Sequence, residues 1–231
     1  MEIQFKTKRP KRIDDITKEL TSFLLINKNY IEMTFFIIAT YKESNDIEEI
    51  EESIELLLIE NDIEEDDNFT KYIELLREFY IDNSKLSHEK SKLSDRRGDI
   101  LESIVENINP IHVKDANYKT YRECIILDGD KEISQQDIDV IYASEDKYEA
   151  ELIECKADLE SFLGETIPYK KRRKLDFMKD AKCISSSYGG SYENILATCL
   201  LDDTKSRKVL DEQGYHDFRV ITGIDILKGL K

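Results

Sequence analysis

Three ionisable residues, Asp139, Glu154 and Lys156, are spaced so that they could act together in catalysis or ion binding. The first lies near the start of one short apolar run, and the other two lie at the end of the next. These runs are Ile138–Tyr142 and Ala150–Cys155. Both are as short as strands usually are, and isoleucine, valine and tyrosine dominate the first. The pattern therefore predicts two strands that carry charge at one end.

The polar connector Ala143–Glu149 is long enough for a hairpin turn between the two strands. Side chains of a strand alternate between its faces, so Glu154 and Lys156 share one face and Cys155 points to the other. In an antiparallel hairpin Asp139 can lie beside the first of these faces. Burial of charge without a partner is costly, so such a cluster usually holds an ion or takes part in chemistry.

Each of these residues also has a purely structural interpretation. Asp139 could simply end a strand, and Glu154 with Lys156 could form an exposed ion pair that contributes little to stability. Asp137 competes with Asp139, because it lies on the same strand face by parity. It stands outside the apolar run, however, and Asp139 is therefore preferred.

The elements around this hairpin form a recognisable order. From residue 94 onward the pattern predicts helix, three strands, helix, strand, helix and strand, which favours a mixed sheet with helices on its faces. The first helix, Gly98–Ile108, has Ser94 or Asp95 as its N-cap. The predicted strands are Thr120–Leu127, the two runs above, Ile195–Leu201 and Phe218–Thr222, and Thr204–Gln213 is a helix.

A basic segment follows the hairpin. Tyr169–Lys182 is predicted to be a helix and has a local net charge of +5 in a chain of net charge −16. Its position after the charged cluster predicts contact with a phosphate backbone, and the alternative is a solvated helix face. The predicted DNA-binding residues are Lys170, Lys171, Arg172, Arg173, Lys174, Lys179 and Lys182. The Ser/Gly-rich segment Ser185–Ser191 is predicted to be a loop.

Residues 94–201 resemble the PD-(D/E)xK nuclease superfamily, which includes restriction endonucleases and Holliday-junction resolvases. The matching segments are Gly98-x-x-Leu101-Glu102, Ile138-Asp139-Val140 and Leu152-Ile153-Glu154-Cys155-Lys156. The family's proline is absent, because Ile138 precedes Asp139. Three other acid-x-Lys tripeptides occur in the chain, so the strand context rather than the tripeptide carries the resemblance.

The resemblance implies a restriction-endonuclease-like α/β core and a metal-dependent cleavage of phosphodiester bonds. Asp139, Glu154 and the backbone carbonyl of Cys155 would bind Mg²⁺ or Mn²⁺, since these ions prefer oxygen ligands. Lys156 would orient the attacking water or the scissile phosphate. Glu102 would accept a water at the metal or help to position Lys156, and its alternative is a place on a solvated helix face.

The bulk composition excludes several other classes of protein. With 50 acidic and 34 basic residues, the chain does not coat nucleic acid through its overall charge. Its four cysteines have no paired CxxC spacing and its three histidines are scattered, which argues against a zinc site or a disulfide framework. The longest apolar run, around Met33–Tyr41, is too short to span a bilayer. These features predict a reduced, cytoplasmic protein.

Two domains are predicted, with a boundary in the polar tract Asp82–Arg97. Residues 1–90 would form a mainly helical accessory domain that binds a protein partner, and residues 91–231 the nuclease-like domain. In the first domain, Ile31–Tyr41 suits either a helix or a strand, and Asn61–Asn68 is an acidic loop.

The leading functional hypothesis is a Mg²⁺-dependent DNA endonuclease of bacterial restriction or antiviral defence, acting as a homodimer or larger assembly. The alternatives are a non-catalytic nuclease-like binding module and a junction or repair nuclease.

Overall fold

A computed structural model describes residues 3–7, 12–43, 47–60, 67–81, 93–133 and 136–230. The chain divides into two compact units, one formed by residues 12–104 and the other by residues 1–11 together with 105–231. The predicted acidic loop and the predicted interdomain tract lie largely outside the described residues, at 61–66 and 82–92. No helix of the described ranges is long and apolar enough to cross a membrane.

The first unit is helical. Its helices are α1 (Asp15–Ile26), α2 (Ile31–Thr40), α3 (Ile47–Glu60), α4 (Asp67–Tyr80) and α5 (Leu93–Val105, whose last residue belongs to the other unit), and a 3-10 turn occupies Lys28–Tyr30. α1 packs against α4, and the Tyr72 ring on α4 lies 4.8 Å from the Tyr30 ring. These contacts bury the apolar stripes of the helices in one core.

The apolar segment whose type the sequence left open is the helix α2. Seven of its ten residues are buried, so the segment lacks the polar face that would have identified a helix by its period. Its buried Thr34 hydroxyl donates to the Tyr30 carbonyl one turn earlier (2.8 Å), as helical threonines commonly do.

A buried ion pair joins the start of α1 to α5. Asp14 caps α1 by accepting a hydrogen bond from the Thr17 amide (2.9 Å), and its second oxygen accepts one from Arg96 (2.6 Å). Arg96 also donates to the Phe79 carbonyl (2.6 Å). Its side chain is only 3% exposed and that of Asp14 is 11% exposed, so removal of either charge would leave the other buried.

We expect Asp14→Ala to lower the free energy of unfolding by about 2 to 4 kcal/mol, because both a helix cap and a buried ion pair are lost. Burial opposes ionisation of Asp14, but the hydrogen bond from Thr17 and the Arg96 guanidinium outweigh it and lower the pKa. The ionised Asp14 therefore contributes its full stabilisation above the usual carboxyl pKa. The difference in the free energy of unfolding between Asp14→Ala and wild type narrows as the pH falls below about 4.

Urea unfolding followed by circular dichroism measures this effect. Asp15→Ala is the matched control, because that carboxylate is fully exposed and its ion pair is with the exposed Lys18. The control should cost less than about 0.5 kcal/mol. Equal losses in the two variants would contradict the importance of the buried pair.

The described residues of the second unit form one mixed sheet of seven strands. The strands are β1 (Ile3–Thr7), β2 (Lys119–Asp128), β3 (Lys131–Glu132), β4 (Ile138–Ala143), β5 (Glu149–Lys156), β6 (Ser191–Thr198) and β7 (Phe218–Ile221). Their order is β1-β2-β4-β5-β6-β7, with β3 paired to β2. Pairing is antiparallel from β1 to β5 and parallel from β5 to β7. The predicted α/β class with a mixed, helix-flanked sheet is confirmed.

Where the structure describes this unit, it also contains four helices: α6 (Leu159–Leu163), α7 (Tyr169–Ser187), α8 (Thr204–Glu212) and α9 (Gly223–Gly229). Leu175 and Met178 of α7 share a buried core with Leu152 of β5 and Leu196 of β6. α7 is part of the connection between the parallel strands β5 and β6, and such connections cross over one face of the sheet. It therefore covers the face that carries Leu152 and, by alternation, Glu154.

The division between the units differs from the predicted boundary near residue 90. The predicted boundary assigns α5 to the sheet domain, but residues 93–104 belong to the helical unit, where Arg96 holds α5 to the end of α4. The chain's first described residues are the strand β1, which pairs antiparallel with β2 in the sheet unit. Both differences arise from long-range pairing, which local sequence patterns do not report.

Two local predictions were wrong. α7 extends to Ser187, so only residues 188–190 of the predicted Ser/Gly loop are non-helical before β6. The hydroxyls of Ser186 and Ser187 donate to helix carbonyls, which satisfies these polar groups inside the helix. α5 begins at Leu93, so Ser94 and Asp95 lie within its first turn and neither is its N-cap.

Candidate active site

The register of β4 and β5 brings the first two candidate residues together. Val140 pairs with Ile153, so Asp139 and Glu154 are the next residues along the two antiparallel strands. Their side chains lie on the face covered by α7. Asp139 Oδ2 also accepts a hydrogen bond from the Cys155 amide (2.8 Å), which fixes the carboxylate where the ladder ends.

Lys156 joins these two carboxylates. Its ammonium Nζ lies 2.7 Å from Glu154 Oε1 and 3.3 Å from Asp139 Oδ2. It also donates to the backbone carbonyl of Cys155 (2.6 Å), and it lies 5.5 Å from the centre of the Phe162 ring. The structure thus brings Asp139, Glu154 and Lys156 together, as the alternation of strand residues predicts.

A fourth charged residue, Lys174 of α7, completes this cluster. Its ammonium is in close contact with Glu154 Oε2 and lies 3.5 Å from Asp139 Oδ1. By sequence, Lys174 belongs to the predicted DNA-contacting helix, and nothing in the local pattern relates it to the carboxylates. The signal that could have found it is the crossover itself, because the helix between two parallel strands must pass over them.

We call these four residues the charge cluster: Asp139, Glu154, Lys156 and Lys174. Their side chains are 15%, 1%, 29% and 17% exposed, respectively. Solvent therefore screens their interactions much less than it screens a surface ion pair. This burial does not support the interpretation of Glu154 and Lys156 as an exposed ion pair.

The two carboxylates respond differently to this environment. Burial opposes ionisation of Asp139, but the ammonium groups of Lys156 and Lys174 outweigh it and lower its pKa to about 2. Glu154 is more deeply buried and feels the charge of Asp139, and both effects raise its pKa. Burial opposes the charged form of Lys156, but the carboxylates of Glu154 and Asp139 raise the pKa of this ammonium. Two carboxyl groups in one site thus differ in how readily they ionise.

The oxygen atoms of the cluster suit a divalent cation. The Lys156 ammonium lies 2.6 to 3.3 Å from one oxygen atom of each predicted ligand. These ligands are the Asp139 carboxylate, the Glu154 carboxylate and the Cys155 carbonyl. In the described part of the chain no three His, Cys, Asp or Glu side chains form a metal-binding group. Mg²⁺ is commonly held by one or two carboxylates, with the remaining ligands coming from water and substrate phosphates. The residues present therefore fit Mg²⁺ or Mn²⁺ better than a metal that needs a full protein cage.

The remaining predicted site residues are Cys155, Glu102 and the competing Asp137. The buried Cys155 side chain points to the opposite face of the sheet, so only its backbone faces the cluster. Glu102 lies on α5 in the helical unit and is 5% exposed, which does not support a place on a solvated helix face. Asp137 directly precedes β4, so it lies outside the strand that carries Asp139.

Most of the predicted DNA-binding residues of α7 have partners within the protein. Lys182 pairs with Glu193, Arg172 donates to Gln213, and Lys179 donates to the Gly214 carbonyl. Lys171 donates to the Ser161 carbonyl, and its ammonium lies 5.0 Å from the centre of the Phe162 ring. Lys170 and Arg173 are the exposed members of the predicted set. The surface that could contact a phosphate backbone is therefore the first turn and a half of α7.

Comparison with protein-family models finds no match to the chain, and comparison with curated protein sequences finds none either.

The geometry predicts a strong energetic coupling between Glu154 and Lys174. In a double-mutant cycle with Glu154→Gln and Lys174→Met, we expect a coupling energy above about 2 kcal/mol, because each single change leaves a buried charge without its partner. Urea unfolding of the four proteins measures this coupling.

The matched control is the cycle with Glu160→Gln and Lys205→Met. This ion pair lies in the same unit, but its Lys205 side chain is 69% exposed. Its coupling energy should be much smaller than that of the buried pair, because solvent screens an exposed ion pair. If the two cycles gave similar values, the buried ion pair of the charge cluster would be refuted.

Proposed function

We propose that this chain is a metal-dependent endonuclease that hydrolyses phosphodiester bonds in DNA, as the resemblance to the PD-(D/E)xK nucleases implies. The observation that carries the proposal is the convergence of Asp139, Glu154, the Cys155 carbonyl and Lys156 at the end of β4 and β5. A bacterial restriction or antiviral role and a homodimer, which would supply two sites for double-strand cleavage, belong to the same proposal.

Phosphodiester hydrolysis needs an activated water, stabilisation of the negative charge that develops on the phosphate, and a counter-charge for the leaving oxygen. Asp139 and Glu154 would hold the divalent cation, which when bound lowers the pKa of water and stabilises negative charge. Lys156 already touches both carboxylates, so a short movement of its ammonium would bring it against a phosphate oxygen or the attacking water. Asp139 supports this role because it is held by the Cys155 amide and ionises readily.

The exposed part of α7 supports DNA as the substrate. Lys170 and Arg173 precede Lys174 by four residues and by one, so they lie near the cluster on the same helix. Tyr169 is 75% exposed beside them, and an aromatic ring next to exposed cations is a common arrangement in proteins that bind nucleic acid.

A specific observation favours a second candidate, a nuclease-like domain that binds but does not cleave. The two carboxylates of the cluster are formally neutralised by two ammonium groups, and such a set of ion pairs could serve stability alone. The two candidates differ in whether DNA is cleaved and in whether a metal binds.

We expect Lys156→Ala to lower the rate of Mg²⁺-dependent DNA cleavage at least about 100-fold, because a preorganised positive charge at the reacting phosphate is lost. Plasmid, linear and four-way-junction DNA are incubated with each protein in Mg²⁺ or in EDTA, and circular dichroism verifies that the variant is folded. Lys208→Ala, which removes an exposed ammonium of α8, is the control and should cleave like wild type.

Cleavage that persists in Lys156→Ala would refute the role of this lysine. Absence of cleavage of every substrate by the wild type, together with absence of metal binding in calorimetry, would favour the non-catalytic candidate. Preferential cleavage of the junction would identify a repair or recombination nuclease.

The exposed cations of α7 give a separate prediction. We expect the double variant Lys170→Glu with Arg173→Glu to bind DNA more weakly, and the slope of log K against log salt concentration to decrease by up to about 2, since each phosphate contact contributes about 0.9. Fluorescence anisotropy of a labelled duplex in EDTA measures both quantities without cleavage.

The control is the double variant Lys131→Glu with Lys208→Glu, which changes the net charge equally at two exposed positions outside α7. A similar loss of affinity in both double variants would show that total charge, rather than α7, governs binding.

A further inference from the structure

The oxygen atoms proposed to bind the metal are all in contact with protein cations. Lys156 touches one oxygen of each carboxylate and the Cys155 carbonyl, and Lys174 touches the other oxygen of each carboxylate. Two formal negative charges therefore face two formal positive charges in a site whose most buried member, Glu154, is 1% exposed. A divalent cation can reach these carboxylates only if an ammonium group moves away.

The two lysines differ in how they are held. Lys156 lies on the same strand as Glu154, and its contact with the Cys155 carbonyl is a contact with its immediate neighbour in the chain. Lys174 reaches the carboxylates from α7, and among the described residues its ion pairs are with these two carboxylates. If the carboxylates were neutralised by another cation, Lys174 would lose what holds it in the site.

The position of Lys174 on α7 offers it a second partner. Lys170 lies one turn before Lys174 on α7, and Arg173 directly precedes Lys174. Both Lys170 and Arg173 are exposed. Residues four apart on a helix are neighbours, so Lys170 and Lys174 form a row that leads from the proposed DNA-contacting surface to the buried carboxylates. A phosphate that enters along this row meets Lys174 last, beside the reacting groups.

The charges of the site couple the binding of a divalent cation to the binding of DNA. Entry of a divalent cation alone would leave an excess of two positive charges in a largely buried site, which is unfavourable in a low-dielectric environment. A DNA phosphate brings the negative charge that offsets this excess, and it also gives the displaced ammonium a partner. Because such coupling is reciprocal, the metal must favour DNA binding by the same factor by which DNA favours metal binding.

We propose that Lys174 competes with the metal for Asp139 and Glu154 in the free protein and moves to a substrate phosphate when DNA binds. Lys174 is then a further substrate-binding residue of the active site, and it makes metal loading depend on substrate. This inference rests on the proposed nuclease function.

The test measures Mn²⁺ binding by electron paramagnetic resonance, with and without a phosphorothioate duplex that resists cleavage. We expect wild type to bind Mn²⁺ at least about 10-fold more tightly with the duplex than without it. Lys174→Met should bind Mn²⁺ at least about 10-fold more tightly than wild type in the absence of DNA. It should nevertheless cleave unmodified DNA more slowly, because the contact with the phosphate is lost.

Opposite effects on metal affinity and on cleavage distinguish this role from a structural one, which would weaken both. Lys208→Met is the charge-matched control and should leave both quantities unchanged. If circular dichroism shows that Lys174→Met is unfolded, Lys174→Gln is tested in its place. The reciprocal measurement, the affinity of wild type for the duplex with Mn²⁺ and with EDTA, needs no variant at all.

Failure of this inference can be distinguished from failure of the proposed nuclease function. If wild type binds Mn²⁺ equally well with and without the duplex, and Lys174→Met binds it no more tightly, this inference is refuted while the nuclease proposal stands. If neither protein binds Mn²⁺ under any of these conditions, the proposed function itself fails.

Discussion

Neutralisation of two adjacent buried carboxylates is the constraint on which the sheet unit depends. Asp139 and Glu154 end neighbouring strands on the face covered by α7, where solvent cannot screen their repulsion. Each therefore requires a counter-charge, and the protein supplies two from different elements. Lys156 comes from β5 itself and Lys174 from the helix above it.

This arrangement follows from the place of β5 in the sheet. β5 is the strand at which pairing changes from antiparallel, with β4, to parallel, with β6. The antiparallel side supplies Asp139 through a short hairpin. The parallel side requires a crossover connection, which carries α6 and α7 over the same face and supplies Lys174. One strand thus gathers charged residues from both sides.

The same residues explain why a stabilising cluster and an active site are difficult to distinguish by geometry alone. Ammonium groups and divalent cations are attracted to the same carboxylate oxygens, so a site that can hold a metal also attracts lysines. What separates the two is the consequence of replacing a lysine. Removal of Lys174 leaves a buried carboxylate without its partner in either case, but only a competing lysine, when removed, releases oxygen ligands for the metal.

The sequence by itself determined the strands β4 and β5, their faces and the meeting of Asp139, Glu154 and Lys156. This was possible because strand alternation and hairpin pairing are local, and both can be read from residues fewer than 20 positions apart.

Only the tertiary structure decided three other features. The helical type of α2 depended on its burial on most sides, which removed the polar face that marks a helix. The placement of β1 in the sheet and of α5 among the helices depended on partners more than 10 residues away in the chain. The contact of Lys174 with the carboxylates depended on the path of a crossover helix over the sheet, since a basic residue on a basic helix has no local signal that separates a buried ion pair from a solvated surface.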